Sequence, residues 1–154
     1  MLIYIGADHR GFNLKESVKD YLKSSGYEVI DVGSSQLVEG DDYPDVAALA
    51  ARKVSMDPSG CRAVLVCGSG VGVDIVANKF PHVRSVLGFN ADQVMASRND
   101  DDTNVLCLAA DYIEDEDAKR LVAAWMPAAF SGEDRHRRRL KKIDDIETRT
   151  KAGL

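Results

Sequence analysis

The stretch Ala63-Val64-Leu65-Val66-Cys67-Gly68-Ser69-Gly70-Val71-Gly72 decides how this chain is read. Its first half is apolar without interruption, as expected of a strand buried on both faces between layers of helix. Its second half alternates glycine with other residues and opens a helix that runs to about Lys79, with Pro81 marking its end. A strand passing through glycines into a helix is the βα unit of a parallel sheet, and such glycines let backbone N–H groups approach a ligand. The familiar phosphate-binding patterns do not fit. A dinucleotide fingerprint would need glycine at Val73 and belongs after a first strand, and a P-loop closes with Gly-Lys-Ser/Thr.

Outward from this stretch, short apolar runs alternate with amphipathic ones. Leu2 to Ile5 reads as a strand ending at Gly6, followed by a helix with Leu14, Val18, Tyr21 and Leu22 on one face and Gly26 as its stop. Tyr27 to Val32 is a second strand, and Ser34 to Asp42 a loop. Pro44 opens a helix carrying Val46, Ala47, Leu49, Ala50 and Val54, and Asp57 to Gly60 is a turn. Beyond the glycines, Val83 to Phe89 is a fourth strand, Ala91 to Arg98 a short helix and Val105 to Ala109 a fifth strand. Ala118, Leu121, Val122, Trp125 and Met126 mark a helix stopped by Pro127. Ser131 to Thr150 is one long polar helix whose few apolar positions are Leu140, Ile143 and Ile146, so it packs weakly on its own chain and suits a partner. The pattern predicts an α/β fold of three layers, a doubly wound sheet of five parallel strands of about flavodoxin size with a long C-terminal helix.

Composition narrows the function only by exclusion. The chain has 154 residues, enough for one domain over 1–154 with a core of its own. A formal net charge of −5 speaks against a broad nucleic-acid or acidic-membrane footprint, and no apolar run approaches a bilayer's thickness. The first residues lack the basic region and cleavage site of a signal peptide. Cys61, Cys67 and Cys107 form neither a disulfide framework nor a zinc pattern, which suits a reducing cytoplasmic compartment.

Chemistry is expected beyond the carboxyl ends of the strands. There the first strand delivers Asp8 and His9, the third Cys67, Ser69 and the glycines, and the loop after the second ends at Asp42-Tyr43-Pro44. A nest of N–H groups with a thiol at its lip can hold an oxyanion while a thiolate takes a proton. The same letters also fit a tight turn with an inert Cys67, and Asp8 also fits a helix cap with His9 on the surface. Cys61 and Cys107 read as structural. Arg135 and Arg139 share a face near the start of the last helix, where cations oppose the helix dipole unless an anion sits there, although such a run also suits a solvated face. Ser131 with Asp134 resembles a capping box that would start that helix.

Taken in order, Gly6 to Phe12, Asp42 to Asp45, Cys67 to Gly72, Ala77 to Phe80, Asp102 to Leu106 and Arg135 to Arg139 resemble the ribose-5-phosphate isomerases of the B type. The related galactose-6-phosphate isomerase subunits share that superfamily. The resemblance implies a cofactor-independent aldose–ketose isomerase of the pentose phosphate pathway acting through an enediolate. It implies Cys67 as the base between C1 and C2, Ser69 handling protons at O1 and O2, and the N–H groups around Gly68, Gly70 and Gly72 holding the enediolate. Asp8 would contact the sugar and assist ring opening, Tyr43 would line the pocket, and His9, Arg135 and Arg139 would hold the phosphate. Asp74 stands where many relatives have serine.

The chain departs from the pattern before and after the fifth strand. Asp100 falls where a ring-opening His is expected, Asp101 where its Asn partner is, and Asp111 where an Arg is common. Asp100 is a candidate acid/base in that place, and a merely solvated loop is the alternative. The departures leave open a hexose 6-phosphate or other sugar-phosphate isomerase; retention of Cys67 argues against a non-catalytic sugar-phosphate-binding protein. Because Asn99 to Asn104 precede the fifth strand, they belong at the amino end of the sheet, ~17 Å from Cys67 along a five-residue strand. The expected partners are therefore a small-molecule sugar phosphate and a second copy of the chain, in a homodimer or dimer of dimers with shared active sites, and neither nucleic acid nor membrane.

Overall fold

In the computed structural model, which describes residues 1–153, strand β3 (Cys61–Cys67) is buried at every position. Its side chains alternate between two cores. Val64 and Val66 join the first, with Ile3 and Ile5 of β1 (Leu2–Ala7), Val18 and Leu22 of α1 (Phe12–Ser24), and Trp125 of α5 (Asp115–Trp125). Ala63, Leu65 and Cys67 join the second, with Ala47, Ala50 and Val54 of α2 (Tyr43–Met56) and Val73 and Ala77 of α3 (Val71–Ala77). A period of two along one strand thus produces the three-layer arrangement.

The sheet also contains β2 (Glu28–Asp31), β4 (Ser85–Leu87) and β5 (Val105–Ala109), in the order β2-β1-β3-β5-β4 with every pair parallel. Leftward steps, β1 to β2 and β4 to β5, cross by α1 and α4 (Ala91–Asp101) on the first face. Rightward steps cross by α2 and α3 on the second, as right-handed crossovers require. The chain leaves β1 and β3 toward opposite faces, so the switch point of the sheet lies between their carboxyl ends. Helix α6 (Asp134–Lys151) follows α5 and packs against α4.

The doubly wound five-stranded sheet and long last helix match the expectation; several boundaries move. β1 runs through Gly6 to Ala7 because its pairing with β3 continues to Ala7 opposite Val66. β4 keeps three residues of the seven expected: the Asn104 and Asn78 side chains accept from the N–H groups of Arg84 and Ser85, occupying the place of a neighbouring strand. α3 ends at Ala77 rather than near Lys79. α4 continues to Asp101, which puts Asp100 and Asp101 on a helical turn instead of a loop, and Asp102 ends it in the left-handed region, tied to Arg84 and Arg98 at 2.9 and 2.7 Å. The capping box at Ser131 does not form. The Ser131 hydroxyl is taken by His136 Nδ1 at 2.7 Å, and α6 starts at Asp134 with Glu133 before it.

Candidate active site

The switch point gathers most of the expected residues. Asp8 and Cys67 leave neighbouring strands just past the Ala7–Val66 pair, at a strand spacing of about 4.8 Å. The turn between them is tight: a Cβ on Gly11 would come within 2.6 Å of the Val66 carbonyl oxygen. Asp8 is buried and its Oδ1 accepts the Gly11 N–H at 2.9 Å, immediately ahead of α1. This bond is to the residue before α1, whose N-cap is Gly11 with no side-chain cap, so Asp8 closes the turn rather than capping the helix, and its second oxygen has no hydrogen bond among the described residues.

Gly70 has φ +71°, a left-handed conformation costly for any residue with a Cβ, and this bends the chain back so that its N–H meets the Cys67 sulfur at 3.1 Å. Ser69 is exposed at the tip of the bend, and its hydroxyl accepts from the Val71 N–H at 3.3 Å. The Tyr43 ring lies on Gly72, where a Cβ would meet it at 2.7 Å. Asp74 sits in the first turn of α3, beside Asn78.

The three thiols separate by their hydrogen bonds. Cys61 directs its S–H to the Asp57 carbonyl at 3.2 Å, and burial pushes its pKa up. Cys107 is enclosed beside the Ser85 hydroxyl, and burial pushes its thiol far up despite that contact. Both thiols are buried in the second core. Cys67 alone, among the described residues, has a sulfur that accepts a backbone N–H.

His9 is held rather than loose. Asp41 accepts its backbone N–H at 2.7 Å and meets Nδ1 at 2.9 Å. The hydrogen bond to Asp41 raises the imidazole above its usual 6.5, helped by the Asp8 charge against partial desolvation. Asp41 was not among the sequence candidates; its only signal was its place beside Asp42-Tyr43-Pro44. A second omission is the ion pair of Arg10 with Asp111 at 2.5 Å, beside Gly68.

The remaining candidates lie at the opposite end of the sheet. Ala63 donates to the Asn104 carbonyl, so the end of α4 is level with Ala63, four residues and ~13 Å of strand from Cys67. Asp100 is there, 3.7 Å from Nε2 of buried His136, with exposed Asp101 next to it. Arg135 pairs with Glu133 at 2.8 Å, and exposed Arg139 has no ion pair among the described residues. The N–H of Ser131 bonds the Asn99 carbonyl, which fixes the start of α6 at this end. Within one chain, therefore, Arg135 and Arg139 do not share a phosphate with His9, contrary to the simplest form of the expectation. A cleft of about 820 Å³ opens between α4, α6 and the β4 edge, lined by Phe80, Val86, Asp100, Asp101, Ile143 and Ile146, and Cys67 is not part of it.

His82, Asp144 and Glu147 bring donor atoms within 4.8 Å of one another near α6. Two of the three are exposed, and Glu147 is already paired with Lys151, so this is a surface cluster of charges and not a built metal centre.

Comparison with known proteins is consistent over nearly the whole chain. The profile of the family described as Ribose/Galactose Isomerase matches residues 3–143. Ribose-5-phosphate isomerase B of Escherichia coli is 38% identical over 96% of this chain and 97% of its own. D-erythrulose-4-phosphate isomerase of Pectobacterium atrosepticum is 35% identical over 84% of this chain and 85% of its own. The crystal structure of ribose-5-phosphate isomerase B from Mycoplasma genitalium with bound ribulose-5-phosphate superposes with a TM-score of 0.92 at 36% identity, covering 96% of each chain.

Proposed function

The chain belongs to the ribose/galactose isomerase family, and on that premise we propose that it interconverts ribose 5-phosphate and ribulose 5-phosphate without a cofactor. The observation that carries the reading is the Cys67 sulfur facing the Gly70 N–H in the glycine loop at the switch point of the sheet.

The open-chain aldose enters with C2 against Cys67. The thiolate takes the C2 proton, the electron pair moves onto the carbonyl oxygen, and the resulting enediolate lies against the N–H groups of Gly68, Gly72 and their neighbours. Return of the proton to C1 gives the ketose, with Ser69 carrying the proton between O1 and O2. The free carboxylate oxygen of Asp8 holds a sugar hydroxyl, Tyr43 walls the pocket over Gly72, and protonated His9 binds the phosphate. Substrate phosphate binding positions the reacting carbons without joining the chemistry.

In this proposal Asp100, Asp101, Arg135 and Arg139 act on the substrate of a neighbouring chain, since their own Cys67 lies across the sheet. Val71 is 46% and Ile75 54% exposed beside the glycine loop, apolar surface that a second chain would cover. A twofold dimer then has two equivalent sites, each with a thiol from one chain and acidic and basic groups from the other. Three free thiols suit the cytoplasm, and no described helix is long and apolar enough to cross a membrane.

A coupled assay over ribose 5-phosphate, D-erythrulose 4-phosphate and hexose 6-phosphates tests the assignment. Ribose 5-phosphate is expected to give the highest kcat/KM. A preference for the four-carbon or six-carbon substrate would move the assignment within the family, and no turnover of any would remove it.

A further inference from the structure

β1 and β5 flank β3 in the sheet, and each sends one charged side chain across its end. Arg10 comes from the turn after β1 and Asp111 from the turn after β5, and Nη2 meets Oδ2 at 2.5 Å. The Asp111 N–H bonds the Gly68 carbonyl at 2.9 Å, which fixes the backbone from which the carboxylate projects. The pair lies directly on Gly68. A Cβ there would stand 2.5 Å from Asp111 Oδ2 and 2.7 Å from Arg10 Nε, so the missing side chain is what lets the guanidinium lie against the loop that follows Cys67.

An ordinary surface ion pair needs no such accommodation and contributes little. The charge balance also points to a ligand. Asp8, Asp41 and Asp74 surround the carboxyl end with negative charge, which a phosphate dianion must overcome. The nearby lysines are already committed: Lys15 is buried on Asp31 and the Ser34 carbonyl, and Lys19 on Asp31 and Glu16. Arg135 and Arg139 of the same chain are at the far end. That leaves His9, itself held by Asp41, and Arg10. Arg10 is 59% exposed in its side chain, and apart from Asp111 its guanidinium has no hydrogen-bond partner among the described residues, so its remaining donors can grip a phosphate in a fork.

We infer that Arg10 is a phosphate ligand supplied by the same chain as the thiol, and that Asp111 is a positioning residue that holds its guanidinium over Gly68. This rests on the sugar-phosphate reading of the site. It also accounts for the acidic residue at 111: the cation of this flank reaches the loop from β1, and the residue after β5 orients it.

The test compares the wild type with Arg10→Ala and with Arg10→Ala/Asp111→Asn, measuring isomerase kinetics and, separately, inorganic phosphate binding by calorimetry. Arg10→Ala is expected to raise the KM for ribose 5-phosphate and the phosphate dissociation constant about 10- to 100-fold, with kcat within a few-fold. The double variant should recover part of that loss, because an unpaired Asp111 repels phosphate, yet stay several-fold weaker than wild type. Thermal unfolding of each variant checks that the fold is retained, as the exposure of Arg10 leads one to expect. If Arg10→Ala binds phosphate within twofold of wild type, the pair is a surface ion pair and the inference fails. Full recovery in the double variant also overturns it, since Arg10 would then only mask Asp111. Phosphate binding is read without turnover: loss of binding in Arg10→Ala with an inactive wild type would defeat the isomerase assignment while leaving the phosphate ligand standing.

Discussion

The two ends of this sheet have opposite equipment. At the carboxyl end stand Cys67, the glycine loop and Asp8, the proposed base, oxyanion nest and hydroxyl acceptor, with His9 held by Asp41 and Arg10 paired with Asp111. At the amino end, Arg135, Arg139, Asp100 and Asp101 are exposed or half-exposed with no thiol or nest among them. The scaffolds differ as well. The carboxyl end is held mainly by strand pairing and the left-handed Gly70, with the Asp8 side chain closing the turn at Gly11. The amino end is held by buried polar side chains. Arg62 donates to the Met126 carbonyl at 2.7 Å, Trp125 to the Thr103 hydroxyl at 3.0 Å, and Arg98 reaches the Ala128 carbonyl at 3.2 Å. Burial and the neighbouring Arg98 lower the Arg62 guanidinium to about 10, against partial relief from Asp102. In the proposed dimer the surface arginines of one chain and the thiol of the other make up one site.

The largest effect expected from breaking this contrast is at the thiol. Cys67→Ala should lower kcat about 10²- to 10⁴-fold with phosphate binding unchanged, because it removes a general base and little volume. Cys107→Ala, on the same face of the sheet, should instead lower thermal stability and leave kcat within a few-fold. A Cys67→Ala enzyme with more than about a tenth of wild-type kcat would show that the base lies elsewhere.

Next in size is complementation. Mixed and co-refolded Cys67→Ala and Asp100→Ala chains, each inactive alone, should regain about a quarter of wild-type activity, since half of the dimers are mixed and each mixed dimer has one intact site. A fully active monomer by light scattering at assay concentration would collapse the division between the two ends.

Arg139→Ala should raise KM by on the order of tenfold with little change in kcat, and inorganic phosphate should compete with substrate. An unchanged KM would make α6 a solvated face. The smallest effect is a shift of pH dependence. Asp41 raises the His9 pKa, so phosphate binding through protonated His9 persists above the usual imidazole range and fades as pH rises through the raised value. The same sign holds for stability: the His9–Asp41 contribution is complete below the unfolded pKa and lost on the alkaline side. Asp41→Asn should therefore move the rise in KM to lower pH, and an unmoved profile would remove His9 from the phosphate site.

Much of this is legible in the amino-acid sequence. The uninterrupted run Ala63 to Cys67 means burial on both faces, alternation with helical stripes means a parallel sheet, and the Cys67-to-Gly72 spacing means a backbone that bends toward a ligand. Those are local properties, set by side-chain period and by glycine's freedom at φ +71°. The misplaced boundaries have a common cause, in that distant polar side chains substituted for local structure. Asn78 and Asn104 shorten β4, Arg84 and Arg98 hold the end of α4, and His136 draws Ser131 away from capping α6.

The layers, the strand count and the thiol at the head of the glycine loop follow from the pattern of residues along the chain, because periodicity and backbone permissiveness act within a few residues. What meets that loop is set by the folded chain. Asp41 reaches His9 from 32 positions away, Arg10 and Asp111 close over Gly68 from the strands on either side of β3, and Arg135 and Arg139 end up across the sheet from the thiol. Charge pairing of this kind acts through space at a few ångströms and leaves no period along the chain by which to foresee it.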